Sequence, residues 1–374
     1  MSRFYLPTEI ITGVGCFEQL GGVTRRYGER ALLVCGADAM RRSGVLDRAV
    51  ELLSQRGVSV TVYDKVVGEP TLPMVEEGRE LAREQEVQAV IGLGGGSAMD
   101  TAKAIAGLYF QPGTAAEYHA GRPLEGPGLP FLAVPTTAGT GAEVTKNAVL
   151  IHPDRRLKES IRSDEWFAKV VLVDPELTLM MPPSVTASTG ADALCQAIES
   201  FVSIGAQPAT DALAIEAIRL IGRSLVRAYE DGQDIAARAD MHYGSLLAGM
   251  ALANARLGGV HGIAHPLGGH CRIPHGVVCG LLLPYVMEYN LEYAAEKYAH
   301  IAQRLGQEAT PLQAVKAVRK LLAQIGIPEH LEPLGVRRDD FPVLIKESLP
   351  SGSLKSNPRP LEAEDVRRIL EMAM

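Results

Sequence analysis

The second half of the sequence gathers side chains of the kinds that bind a divalent metal or move a proton. Asp192 and Gln196 stand four residues apart in TGADALCQAIES (189–200), a spacing that puts both on one face of a helix. His261 and His265 have the same spacing in Val260-His261-Gly262-Ile263-Ala264-His265-Pro266. His275 follows in Pro274-His275-Gly276, and His270 lies between. Four of the nine histidines thus fall within 15 residues, with glycines opening space beside His261 and His275. A single histidine in a helix is usually a satisfied core or surface residue, whereas four this close, with a carboxylate, predict a site. Imidazole and carboxylate together suit Fe²⁺ or Zn²⁺. Such an ion lowers the pKa of a hydroxyl by several units, for water from about 16 to about 7. The alkoxide formed from an alcohol in this way is a hydride donor.

A hydride needs an acceptor, and the first half of the chain offers a place for one. Gly92-Leu93-Gly94-Gly95-Gly96-Ser97-Ala98-Met99-Asp100 follows the apolar run Ala89–Leu93 and precedes a helical stretch, Thr101–Leu108. Glycines without Cβ let the backbone approach a pyrophosphate, and amides at a helix start bind it. Gly94, Gly95, Gly96 and Ser97 are therefore expected to cradle a dinucleotide. The loop is not the GxGxxG fingerprint, and it does not follow the first strand. Asp38, in Cys35-Gly36-Ala37-Asp38, ends the first strand with an acid. It either caps the next helix or accepts hydrogen bonds from an adenosine ribose. In the second role it would repel a 2′-phosphate and favour NAD over NADP. Pro135–Glu143 (PTTAGTGAE) places small hydroxyl residues among glycines after another strand, as donors to phosphate or carboxamide oxygens. The chemistry that follows is reversible hydride transfer between the nicotinamide and the carbonyl carbon of a small aldehyde or ketone, with a histidine relaying the proton.

The elements that must position these residues change character midway. Ala31–Cys35, Val58–Val62, Ala89–Leu93, Phe131–Val134 and Val170–Val173 read as strands. Several are apolar throughout, as expected of strands covered on both faces. Their spacing fits βα repeats and a parallel sheet. Beyond Pro182-Pro183 the period becomes helical. Leu213, Ala217, Leu220, Ile221 and Leu225 recur on one helix face, and segments 235–255, 284–306 and 311–325 look alike. The expected organisation is an α/β dinucleotide-binding domain over 1–181 and an all-helical metal and substrate domain over 182–374. A cleft between unlike domains is a common place for a small-molecule site.

These motifs resemble the iron-containing (group III) alcohol dehydrogenases along almost the whole chain. The resemblance rests on GGGSAMD (94–100), TTAGTGAEVT (136–145), VDPELTLMMPP (173–183), TGADALCQAIES (189–200) and HGIAHPLGGHCRIPHG (261–276). It implies a Rossmann-like N-terminal domain and a helical C-terminal domain with NAD(P) bound in the cleft. It also implies nucleotide contacts from Asp38, Gly95, Gly96, Ser97, Asp100, Thr136, Thr137, Thr140, Lys158 and Leu177. The family's four metal ligands fall at Asp192, Gln196, His261 and His275. His265 falls where the family has a histidine near the nicotinamide, so His265 and His261 are the expected acid–base groups. The chain departs from the family at Gln196, where histidine is usual, and at Glu69-Pro70, where Asn-Pro is common. Three readings follow from Gln196. Asp192, His261 and His275 hold Fe²⁺ or Zn²⁺ with water or Gln196 as the fourth ligand, as related glycerol dehydrogenases hold zinc with three protein ligands. Or the site takes another divalent ion. Or the metal is lost and His265 and His261 act alone.

Bulk properties exclude several other classes. A formal net charge of −7 without a basic cluster argues against a nucleic-acid partner. No run approaches the roughly 20 apolar residues of a membrane span, and Met1-Ser2-Arg3-Phe4 lacks a signal core. Five cysteines at no metal-finger spacing read as reduced thiols of a cytoplasmic protein. The resemblance suggests a homodimer or higher homo-oligomer acting on a small alcohol or aldehyde. Rival readings on the same fold are a metal-independent maleylacetate-reductase-like carbonyl reductase, a dehydroquinate-synthase-like lyase using NAD transiently, and a non-catalytic NAD sensor. The lyase would need many Lys and Arg near its site, and only Arg256 and Arg272 stand near the histidines. Those two either bind an acidic aldehyde or close helix ends.

Overall fold

A computed structural model describes residues 3–155 and 157–374, so Met1, Ser2 and Arg156 lie outside the described residues. The chain folds as two compact units. One comprises Leu6–Thr137 and Ala142–Met180. The other comprises Met181–Met374 with two short pieces of the first half, the segment ending at Tyr5 and Ala138–Gly141. Local contacts explain both pieces. The Tyr5 amide donates to Asn254 Oδ1 at 2.7 Å. The backbone at Gly139 and Gly141 runs so close to Thr189 and Gly249 that a Cβ at either glycine would collide with them.

The first unit is built on a six-stranded, wholly parallel sheet in the order β1-β8-β5-β4-β2-β3. The strands are β1 (Glu9–Thr12), β2 (Arg30–Gly36), β3 (Ser59–Val66), β4 (Ala89–Gly94), β5 (Phe131–Pro135) and β8 (Val170–Val173). A separate antiparallel hairpin pairs β6 (Asn147–His152) with β7 (Leu157–Arg162). The apolar runs are strands because both sheet faces are covered. Ala31, Leu33, Ile91, Leu93, Leu132 and Val134 pack on one side with Leu20, Leu46 and Leu53. On the other side Gly92 lies against Met99 and Ala102 of helix Gly96–Leu108. The sequence reading found five of the six sheet strands and missed β1 and the hairpin.

The second unit is helical, and no strand follows Val173 among the described residues. Its largest helices are Pro183–Val202, Pro208–Glu230, Ile235–Ala255, Gly259–Cys271 and His275–Tyr289. The single segment read over 284–306 is two helices, His275–Tyr289 and Ala295–Arg304. The chain turns at Asn290, whose amide groups exchange hydrogen bonds with Asn357. Helix Pro183–Val202 runs through the middle of this unit and is buried over most of its length. The α/β sheet followed by a helical region matches the expected fold class.

Candidate metal and nucleotide sites

In the α/β unit the chain order of the strands makes a crevice. After β2 the chain crosses to β3 on one side, whereas after β4 it crosses to β5 on the other. The carboxyl ends of β2 and β4 are therefore a topological switch point, where open parallel sheets bind ligands. Asp38 and the glycine loop both lie there. Gly94 ends β4 at φ +149, a conformation that suits glycine, and a Cβ there would meet the Ala98 Cβ at 2.9 Å. Gly95 is the N-cap of helix Gly96–Leu108 and offers no side chain to its free amides. The helix starts at Gly96, five residues before the expected Thr101, because the glycines themselves form its first turn. The 13-residue helix thus presents uncapped N–H groups and no acidic residue in its first turn, a ready anion site. Thr137 flanks it, 3.2 Å from where a Gly95 Cβ would stand. Asp38 occupies the N-cap position of the short helix Ala39–Arg42, yet its side chain makes no capping bond.

The other expected nucleotide contacts have internal partners. Asp100 accepts from the Val149 amide at 3.0 Å and pairs with Lys103 at 3.7 Å, tying β6 to the loop helix. Lys158 on β7 pairs with Glu69 at 2.6 Å. Leu177 is buried in the core against the sheet. The Thr136 amide donates to the Gly94 carbonyl, and Thr140 lies in the piece that belongs to the helical unit.

In the helical unit the predicted metal residues come together. Asp192 and Gln196 share a face of helix Pro183–Val202 with Glu199, seven residues beyond Asp192, and all three are buried. Glu199 does two things. It caps helix Gly259–Cys271, accepting from the Val260 amide at 2.6 Å, and it accepts from His261 Nδ1 at 2.6 Å. That contact to a carboxylate makes Nδ1 the protonated nitrogen and turns Nε2 inward as an acceptor. His275 opens helix His275–Tyr289, held close to the Asp192 helix by Gly276, whose Cβ would fall 1.9 Å from the Ser188 carbonyl oxygen. His261 Nε2 and His275 Nε2 stand 3.3 and 3.9 Å from Asp192 Oδ1.

These donors fit a cation. Asp192 Oδ1 and Gln196 Oε1 are buried and accept no hydrogen bond. Burying such acceptors unpaired costs several kcal/mol unless a cation meets them. The inward lone pair of His261 Nε2 faces a carboxylate, so the pair demands a positive charge between them. The same demand shows in the imidazole itself. Burial opposes protonation of His261, but Cys279, Asp192 and Glu199 outweigh it and raise its pKa well above the ordinary imidazole value.

Two residues here carried no role in the sequence reading. Glu199 was detectable as a second acid on the Asp192 helix face. Cys279 stands four residues after His275, the spacing that already flagged the other pairs. Its Sγ lies 3.5 Å from His275 Nε2 and 3.9 Å from His261 Nε2. Of the other expected residues, His265 stacks on His275 with ring centroids 5.4 Å apart and lies 6.3 Å from the His261 ring. His270 lies apart, pairing with Glu347 at 2.8 Å on the surface. Arg256 and Arg272 are the positive-φ C-caps of their helices, so both close helix ends.

Comparison with known proteins places the whole chain beside one family. Residues 7–175 match the family described as iron-containing alcohol dehydrogenase, and residues 186–374 match its C-terminal part. The chain is 40% identical to long-chain-alcohol dehydrogenase 1 of Geobacillus thermodenitrificans, over 100% of this chain and 97% of that one. It is 39% identical to the 1,3-propanediol dehydrogenase of Klebsiella pneumoniae, over 99% and 96%. Its fold superposes on the crystal structure of a 1,3-propanediol oxidoreductase with a TM-score of 0.97 at 37% identity, each chain covered in full.

Proposed function

The chain belongs to the iron-containing alcohol dehydrogenase family, an oxidoreductase that interconverts alcohol and aldehyde with NAD(P), and from that premise we propose how its own residues divide the work and which substrates it takes. The relatives are named for long-chain alcohols, 1,3-propanediol and lactaldehyde. These share a primary alcohol–aldehyde pair, and that pair is the proposed substrate class. The observation that carries the reading is the trio Asp192, His261 and His275, with two buried acceptor oxygens that lack hydrogen bonds.

Asp192, His261 and His275 would hold the divalent metal, with Gln196 at its edge. When bound, that ion supplies Lewis-acid polarisation of the substrate oxygen, and the nicotinamide supplies or accepts the hydride. Glu199 orients His261 through Nδ1 and leaves the more basic Nε2 as the nitrogen that ligates. The His265 imidazole, stacked on His275, exchanges the hydroxyl proton with solvent. Gly94, Gly95, Gly96 and Ser97 bind the pyrophosphate with backbone amides, and Asp38 binds the adenosine ribose and disfavours NADP. Thr136, Thr137 and Thr140 supply further hydroxyl donors. Asp100 and Lys158 act from behind, holding the hairpin to the loop helix, and Leu177 packs the wall beneath. In this division residues 1–181 serve the nucleotide and 182–374 the metal and substrate.

All five cysteines are free, and no described helix is long and apolar enough to cross a membrane. Both facts support a cytoplasmic enzyme, and the family resemblance supports a homodimer or larger homo-oligomer. The test is purified protein with NADH or NADPH and a panel of 3-hydroxypropanal, lactaldehyde and a medium-chain aldehyde. Aldehyde-dependent oxidation of NADH, faster than that of NADPH, is expected. Tight NADH binding without oxidation by any aldehyde would leave only a nucleotide-binding protein.

A further inference from the structure

The family's fourth ligand position holds a neutral amide here, yet the cluster contains a fourth strong donor from another helix. We infer that Cys279 Sγ is a direct ligand of the divalent metal, completing an Asp192–His261–His275–Cys279 set in which the thiolate takes the place left by Gln196. The inference rests on the metal reading above and goes beyond it in naming the ligand that the sequence did not predict.

Distances carry it. Carboxylate oxygen and imidazole nitrogen bind zinc at about 2.0–2.1 Å and thiolate at about 2.3 Å, so tetrahedral neighbours stand about 3.3 Å apart for N and O and about 3.6 Å for N and S. The observed separations are 3.3 Å for Asp192 Oδ1 to His261 Nε2, 3.9 Å for Asp192 Oδ1 to His275 Nε2, 3.5 Å for Cys279 Sγ to His275 Nε2 and 3.9 Å for Cys279 Sγ to His261 Nε2. All four donor atoms lie within 4.8 Å of one another. The buried Asp192 Oδ1 without a hydrogen bond points to a cation independently of the cysteine. Packing holds the thiol in place. Gly276 rests on Ser188, and a Cβ on Gly280 would lie 3.0 Å from the Ala191 Cβ. Glycine on either side of Cys279 thus brings its helix onto the Asp192 helix.

Cys195 is the competing thiol. It lies 3.8 Å from His261 Nδ1, the nitrogen already given to Glu199, so it stands behind the imidazole and not at its ligating face. An amide oxygen is a weaker ligand than a thiolate for Fe²⁺ or Zn²⁺, and a mixed S/N/O tetrahedron suits Zn²⁺ and its spectroscopic stand-in Co²⁺. On ligation the Sγ–H bond breaks, a sulfur–metal bond forms and the proton leaves to solvent, with no change of oxidation state.

The test uses full-length protein stripped with a chelator and reloaded with one equivalent of Co²⁺ or Zn²⁺. The Co²⁺ form is expected to show a near-ultraviolet sulfur-to-cobalt charge-transfer band, kept in Cys195→Ala and lost in Cys279→Ala. X-ray absorption of the Zn²⁺-loaded wild type is expected to show one sulfur at about 2.3 Å, a result that needs no variant to fold. Stoichiometric metal with only nitrogen and oxygen neighbours, or a band that survives Cys279→Ala, would overturn the inference and leave the metal site standing. Failure to take up either ion would remove both.

Discussion

At the scale of single residues, Glu199 links packing to chemistry. One carboxylate closes the start of helix Gly259–Cys271 and fixes the tautomer of His261. Glu199→Gln keeps the shape but loses the charge and one of the two acceptor oxygens that serve the Val260 amide and His261 Nδ1. Loss of such an outer partner typically costs 10–100-fold in metal affinity, and competition with a chromophoric chelator should read a loss of about that size. Glu143 makes a separate prediction in the other unit. Burial raises its carboxyl from 4.5 to about 7, with Lys103 moderating the shift. The folded state therefore holds the proton more tightly than the unfolded chain. The resulting stability is complete below about pH 4.5 and is lost as pH rises through about 7. Glu143→Gln removes the group, so at pH 8 the variant should be the more stable, by at most about 3 kcal/mol at 1.36 kcal/mol per unit. The advantage should vanish toward pH 4.5. Chemical denaturation at the two pH values measures it.

At the scale of elements, the parts legible in the sequence are those whose chemistry is local. The glycine loop announced itself because three glycines after an apolar run have few other uses, and the fully apolar runs marked strands covered on both faces. β1 escaped because it is four residues long and pairs with β8 alone. The hairpin escaped because β7, Leu157-Lys158-Glu159-Ser160-Ile161-Arg162, has one buried residue. Cys279 escaped for a different reason. Its meaning depends on how closely two helices approach, and that approach is set by glycines whose neighbours lie far away in the chain. Gly276 is the sharpest case. In Gly276→Ala the new Cβ would meet the Ser188 carbonyl oxygen at 1.9 Å, so helix His275–Tyr289 must move and carry His275 and Cys279 with it. Overpacking of this kind costs about 1–3 kcal/mol, and the variant should both melt earlier by calorimetry and retain well under one equivalent of metal.

At the scale of the whole molecule, the proposed division of labour follows from two architectures with different gifts. A parallel sheet with a switch point offers backbone amides at a helix start, which suit phosphate. A helical unit offers side chains converging from three helices, which suit a metal. The fold class, the glycine loop at a helix start and the approach of Asp192, His261 and His275 were readable in advance because each rests on a motif. The fourth donor appeared only once helices distant in sequence were packed together, and only that packing put the acid Glu199 behind His261. The central claim is that this cluster holds a metal on which alcohol–aldehyde interconversion depends. The most direct measurement is aldehyde-dependent NADH oxidation before chelation, after chelation, and after adding back Zn²⁺ or Fe²⁺, with Asp192→Asn alongside. The predicted result is loss of turnover on stripping, recovery on reloading in the wild type, and no recovery in Asp192→Asn. Full turnover by protein shown to contain no metal would contradict it.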